Sequence, residues 1–265
     1  MKPPRIGKTD WWSRGPARSP EPGSAPRGRG RPVRDPASVV TYPGRVPTSP
    51  TTAPATPTVA VLLAAGAGTR LGRGPKALLP HRGGTLVEHA TGVLLAGGCD
   101  AVVVVLGAGA DDVRAATALD EPRVRVVDNP GWATGMASSL RVGVVAALDL
   151  APARVVVAHV DQPGVVPDDV ARLLAAHRPG RVAASRWTGG VGPAAPSGAD
   201  RPRWAHPLVL DAALAAPAAA SAHGDRGARG FLRAHADLVD VVDHPGDGRD
   251  LDTEADLDLL PPADR

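Results

Sequence analysis

The chain has 265 residues and a single cysteine, Cys99. One thiol excludes a disulfide framework and a cysteine-built zinc site. Cys99 stands just before the apolar run Ala101 to Leu106, the setting of a buried and inert thiol. No apolar stretch approaches the roughly 18–20 residues that a membrane span needs. The N-terminus carries charge but lacks the apolar core of a signal peptide. These absences lead to the expectation of a soluble, cytoplasmic protein with no membrane partner. Two familiar phosphate loops are also missing. A Walker loop places Lys between Gly and Ser/Thr, whereas Lys76 follows Pro75 and precedes Ala77. A dinucleotide fingerprint reads Gly-x-Gly-x-x-Gly. Here the third glycine, Gly72, arrives one residue late and two cations share the loop. That spacing disfavours an oxidoreductase on a dinucleotide fold.

Charge is present but unevenly spread. The formal net charge is +3. The segment 1–57 holds about ten Lys/Arg against Asp10, Glu21 and Asp35, together with many prolines. Such a composition cannot bury enough apolar surface to offset its chain entropy. We therefore read 1–57 as a disordered tail and 58–265 as the folded domain. The run Arg27 to Arg31 offers charge to a nucleic acid backbone, but a solvated tail accounts for it, so no nucleic acid partner is expected.

The domain is organised around Val59 to Pro80, which reads VAVLLAAGAGTRLGRGPKALLP. An uncharged apolar run, Val59 to Ala64, reads as a buried parallel strand. Gly66, Gly68 and Gly72 then let the backbone approach a ligand and turn its N–H groups toward an anion. Arg70 and Lys76 add fixed positive charge. A strand, a glycine loop with two cations and a following helix form a phosphate-binding arrangement.

Downstream, strands and helices alternate. Thr85 caps a helix over Leu86–Ala96. Ala101–Leu106 reads as a strand, Asp111–Leu119 as a helix and Arg123–Val127 as a strand. Thr134–Leu148 is a helix, Arg154–Val160 the fourth strand and Pro167–His177 a helix. The Gly- and Pro-rich segment from about Arg181 to Asp211 reads as a loop-rich region that returns through Trp204–Leu210. A short helix or turn over Leu214–Ala220, a helix over Arg226–His235, a strand over Leu238–Val242 and a capped helix over Thr253–Leu260 follow. The pattern predicts a three-layer α/β/α, Rossmann-like domain with a mainly parallel central sheet. Ligands of such sheets bind beyond the carboxyl ends of the strands. Asp161-Gln162-Pro163 lies there, and a carboxylate at the end of a buried strand needs a cation or donors. Magnesium takes carboxylate and phosphate oxygens, so Asp161 is a candidate ligand. His159, two residues earlier on the same strand face, reads as a second support or a packed core histidine.

The stretch L-A-A-G-x-G-T-R-L-G-x-x-P-K resembles the signature loop of nucleotidyltransferases that join a nucleoside monophosphate to a phosphorylated acceptor. It looks most like the molybdenum cofactor cytidylyltransferase branch of the MobA-like family. The resemblance covers about residues 58–260. It implies a nucleotide site on Leu63, Ala64, Ala65, Gly66, Gly68, Thr69, Arg70 and Lys76. The segment Asn129-Pro-Gly-Trp132 with Gly135-Met136-x-Ser138-Ser139 extends that site through Asn129, Gly135 and Ser138. In the family the Asp-Gln-Pro motif carries Mg2+, which assigns Asp161. The late motif Asp250-Leu-Asp252-Thr253 adds Asp250, or Asp252, to the metal site. His206-Pro207, preceded here by Ala205 where the family usually has Gly, and Gly224-Asp225-x-Gly227-Ala228-Arg229 match the acceptor half. They imply acceptor contacts at His206 and Arg229, since guanidinium binds phosphate bidentately.

What this implies is Mg2+-dependent transfer of CMP from CTP to the phosphate of molybdopterin, with pyrophosphate released. Lys76, Arg70 and Asp161 form the catalytic set, and a molybdoenzyme is the implied recipient of the product. The Ala64-Ala65 pair resembles CTP users, whereas the GTP branch typically has Gly there. Rival readings are use of GTP, a sugar, polyol or phospholactate phosphate acceptor, and a non-catalytic nucleotide- or cofactor-binding module.

Overall fold

In a computed structural model the described residues are 57–189 and 204–260. All of the expected tail except Pro57 falls outside them. Five strands have the predicted places. These are β1 (Thr58–Leu63), β4 (Ala101–Leu106), β5 (Val124–Asp128), β6 (Arg154–His159) and β9 (Val239–His244). A two-residue hairpin, β2 (Pro80–His81) and β3 (Gly84–Thr85), precedes the first helix. The expected loop-rich region instead contains β7 (Val182–Trp187) before its glycines and β8 (Ala205–Asp211) after them. The four residues Val182–Ser185 are buried, so packing recruits a segment too small in side chain to signal a strand.

The central sheet has the order β5-β4-β1-β6-β8-β7-β9. All neighbours are parallel except β8, which runs antiparallel to both β6 and β7. Strands β1 and β4 are buried along their whole lengths, as strands covered on both faces are. One apolar layer joins Leu62, Val104 and Val156 to α1 (Leu86–Ala96), α2 (Ala110–Ala116) and α4 (Pro167–Ala176). The other joins Val61, Val103 and Val157 to α3 (Met136–Leu148), α5 (Ala212–Ala220) and α6 (Arg229–Ala234). The three-layer α/β/α expectation is met. Thr85 caps α1 and closes a reciprocal box with Glu88. The closing segment, expected as an α-helix, is a 3-10 helix over Glu254–Leu259, entered through the Thr253–Asp256 capping box. Cys99 is buried, and burial pushes its thiol up to about 12, which keeps it inert. Among the described residues no helix is long and apolar enough to cross a membrane.

The chain leaves β1 toward β4 and β5 on one side, and leaves β6 toward β7 and then β8 on the other. Strands β1 and β6 are neighbours, with Leu63 beside His159. The two connections diverge at this point, and such a switch point opens a crevice at the carboxyl ends of the strands.

Candidate active site

The crevice is a cleft of about 1000 Å3. One wall is the loop after β1. Gly68 takes φ +62°, and an added Cβ would lie within 2.2 Å of the Gly74 carbonyl oxygen. Only glycine closes that loop. Gly66 is different: it lines the cleft, and a Cβ there would meet no protein atom within 4 Å. The space before Gly66 belongs to the cleft, as a ligand cradle requires.

Lys76 begins a 3-10 turn, Lys76–Leu78, that directs its side chain to the cleft floor. Its Nζ donates to Asp161 Oδ2 at 2.9 Å and to Asp252 Oδ1 at 2.5 Å. Burial alone pulls the ammonium's pKa down, but the Asp161 and Asp252 carboxylates outweigh it and leave the pKa raised. Arg70 reaches the same Asp252 at 3.2 Å from a largely exposed position. The first loop, the end of β6 and the late Asp-x-Asp-Thr motif therefore converge, although Arg70 and Asp252 are 182 residues apart in sequence.

The Asp250–Asp252 stretch is fastened by one backbone bond, Leu251 N–H to the Asp161 carbonyl at 2.7 Å. Leu251 itself is fully buried. Asp250 is thereby held beside Asp161. Burial first, and then the Asp161 charge, raise its pKa, against an opposing pull from His159 and a hydrogen bond from Gln162. Asp161 Oδ1 is buried without a protein hydrogen-bond partner. An unpartnered carboxylate oxygen beside a second crowded carboxylate fits a divalent cation. Among the described residues no three His, Cys, Asp or Glu side chains close into a ready cage. Two protein carboxylates completed by substrate phosphate are, however, the usual provision for Mg2+. Asp161 and Asp250 suit that task, whereas Asp252 is committed to Lys76 and Arg70.

The opposite wall comes from the start of β8 and from α6. The His159 and His206 rings stack with centroids 3.9 Å apart. Burial, followed by the proximity of His159 and Arg229, holds His206 well below the ordinary histidine range. It is a neutral ring at pH 7, so positive charge on this wall comes from Arg229. Trp204, Ala205 and Leu208 also face the cleft.

Of the predicted residues, Leu63, Ala65, Gly66, Gly68, Thr69, Arg70, Lys76, Gly135, Asp161, His206, Arg229, Asp250 and Asp252 line this one cleft. Ala64, Asn129 and Ser138 stand behind its lining. Asn129 is buried, and its amide donates to Ser138 Oγ at 2.8 Å and Ser139 Oγ at 2.9 Å. Ser138 Oγ in turn donates to the Gly131 and Gly135 carbonyls. These polar groups shape the turn into α3. Asp225, which carried no role in the sequence reading beyond its motif, accepts from the Met136 N–H at 3.2 Å and so joins the Gly224–Arg229 motif to the start of α3. Its position one residue after Gly224 was visible, but its partner 89 residues away was not.

The sequence profile of the MobA-like NTP transferase domain matches residues 60–239. The chain belongs to the MobA-like NTP transferase family. A relative from Paenarthrobacter nicotinovorans, named nicotine blue oxidoreductase, is 50% identical over 198 residues, 73% of this chain and 91% of that one. The crystal structure of Rv0371c from Mycobacterium tuberculosis H37Rv superposes with a TM-score of 0.61 at 30% identity, covering 77% of this chain and 97% of that one. The same protein has been solved as a manganese complex. A nucleotidyl transferase from Methanothermobacter thermautotroptrophicus gives a TM-score of 0.61 at 25% identity, with 75% and 93% covered. This MobA-like chain is accordingly a nucleotidyltransferase, in a family whose members use divalent metals.

Proposed function

We propose that the protein transfers CMP from CTP to the terminal phosphate of molybdopterin, releasing pyrophosphate, with Mg2+ as the supporting cation. The observation that carries this reading is Lys76, held at the cleft floor between Asp161 and Asp252. The triphosphate lies along Gly66–Arg70. The acceptor phosphate, an anion at neutral pH, attacks the α-phosphorus in line. The new P–O bond forms as the bond to the pyrophosphate breaks, so no general base is required. Lys76 and Arg70 neutralise charge that builds on the α-phosphate and on the departing pyrophosphate. Arg229 orients the acceptor phosphate, and neutral His206 packs beside the acceptor. Asp161 and Asp250 would hold Mg2+, which supplies charge neutralisation and orients the phosphates. Positioning and electrostatics supply most of the rate. The Cβ atom of Ala65, on the cleft lining, narrows the room beside the base and favours cytosine. A molybdoenzyme is the recipient that such a product requires.

The deciding experiment measures pyrophosphate release from CTP and from GTP, with and without molybdopterin, in Mg2+. Release that needs molybdopterin, prefers CTP and falls by orders of magnitude in Lys76→Ala and Asp161→Ala supports the proposal. Release from GTP alone replaces the base. Release only with a sugar or polyol phosphate replaces the acceptor.

A second reading rests on the 50% identical relative, whose name is that of an oxidoreductase. In it the cleft receives a nicotinamide nucleotide, although its glycine spacing is not that of a dinucleotide loop, and the Trp204–His206 wall receives the redox partner. Turnover of a nicotinamide nucleotide in the presence of nicotine blue, unaffected by Lys76→Ala and by metal chelation, would establish it in place of nucleotidyl transfer.

A further inference from the structure

Trp187 lies at the end of β7, outside the cleft lining, yet it touches what stands behind both walls. On one side its indole Nε1–H donates to the His206 carbonyl at 3.1 Å. That bond fixes the backbone that presents His206 to His159. On the other side the same indole fills the space left by two glycines. A Cβ on Gly248 would fall 2.1 Å from Trp187 Cδ1 and 2.2 Å from Nε1, and one on Gly246 would fall 3.2 Å from Cζ3. Gly248 has φ +58°, a conformation that glycine adopts without strain. Its carbonyl accepts from Gln162 Nε2 at 3.3 Å, two residues before Asp250. The indole is supported from behind by His244, whose ring lies 4.9 Å away. His244 is fully buried and is bonded to Asp169 of α4 at 2.9 Å.

We propose that Trp187 is a positioning residue that sets both walls of the cleft through one rigid ring. Its N–H holds the 205–207 backbone of the acceptor wall. Its face holds the glycine turn that delivers Asp250 and Asp252 to the opposite wall. Gly248 lies on the pyrrole atoms, Nε1 among them, and Gly246 on the six-membered ring. Phenylalanine therefore loses the N–H and the pyrrole part of the Gly248 contact but keeps a ring against Gly246, whereas alanine loses all three. The consequence for turnover rests on the nucleotidyl-transfer reading; the positioning itself does not.

The test compares amide hydrogen exchange in wild-type, Trp187→Phe and Trp187→Ala proteins, each checked for a cooperative melt. The expected result is faster exchange over 204–208 with a smaller change over 246–252 in Trp187→Phe, and a large change over both segments in Trp187→Ala. Should Trp187→Ala fail to fold, the phenylalanine variant still decides: unchanged exchange over 204–208, or equal acceleration over both segments, overturns the proposal. Steady-state pyrophosphate release gives the second readout. In Trp187→Phe the acceptor KM rises about fivefold, the order expected for one lost neutral hydrogen bond, while the NTP KM stays unchanged. An unchanged acceptor KM, or an equal rise in both constants, counts against the proposal. A wild-type protein that releases no pyrophosphate from any NTP refutes the transfer reading, and the exchange data still decide the role of Trp187.

Discussion

Replacing Lys76 by Met keeps the length and apolar stem of the side chain and removes its charge. The ammonium donates to Asp161 at 2.9 Å and to Asp252 at 2.5 Å, with 12% of its side chain exposed. Removing one partner of a fully buried pair costs about 3–5 kcal/mol, and exposed pairs contribute about 0–1 kcal/mol. Asp161 and Asp252 are 22% and 37% exposed, so solvent screens part of the loss and about 1–3 kcal/mol is expected. For a domain of this size that lowers Tm by roughly 2–12 °C. The catalytic effect is larger, because the charge acts where negative charge develops. A fall of about 100- to 1000-fold in kcat is expected, the range for losing one preorganised donor. Thermal melts with and without Mn2+ and steady-state pyrophosphate release measure the two effects. Mn2+ should return part of the lost Tm, since it restores positive charge beside Asp161 and Asp250. The pH sign is also defined. Because the Lys76 pKa is raised, its ion-pair contribution is fully present below the unfolded lysine value. It is lost only as pH rises through the higher folded value, so no lysine limb should appear in a rate profile between pH 6 and 9. A Lys76→Met enzyme within threefold of wild-type activity, or one with an unchanged Tm, would refute this account.

Arg70→Ala should leave Tm within about 1 °C, since its partnership with Asp252 is a surface ion pair, yet lower kcat/KM at least tenfold by the same pyrophosphate assay. Gly66→Ala should melt normally and raise the NTP KM, whereas Gly68→Ala should lose Tm because of its φ and the Gly74 carbonyl; equal behaviour of the two contradicts the cradle. Asp250→Asn should raise Tm at pH 7 in chelator, because the raised pKa of Asp250 marks a carboxylate whose ionisation opposes folding. The same variant should bind Mn2+ more weakly, as titration of the bound ion would show. His206 has a depressed folded pKa, so the stability it gives is present above pH 6.5 and is lost as pH falls below it. His206→Asn should flatten the fall in Tm between pH 6.5 and 4.5. His81, pushed down to about 4 by burial, leaves a residual slope.

Much of this architecture is written in continuous apolar runs. Strands β1, β4 and β6 carry them because both faces of each are covered, so a window of six residues suffices. The residues around the first loop were legible because glycine, arginine and lysine at fixed spacing have few structural uses together. Strand β7 was not legible, because Val182-Ala-Ala-Ser185 has small side chains and is followed by glycines and prolines. Its place comes from pairing with β8 and β9. The reversed direction of β8 has no local signature at all. Asn129 and Ser138 show the converse: their amide and hydroxyl suit a ligand, yet they satisfy one another in the turn into α3. Spacing identified the late Asp250–Asp252 pair but did not divide its labour. The Leu251 bond to Asp161 does so, by turning Asp250 toward Asp161 and leaving Asp252 with the two cations.

The antiparallel course of β8 has a consequence for how such a cleft diversifies. Parallel strands deliver their final residues to the working edge of the sheet, so changes there disturb the turns that lead onward into helices. Strand β8 delivers its first residues instead, and its far end at Asp211 caps α5 on the opposite rim. Exchanges at Trp204–His206 can therefore remodel that wall of the cleft without altering the register of β1. One half of the cleft is tied to the turns that lead onward into the helices, and the other is a replaceable fitting.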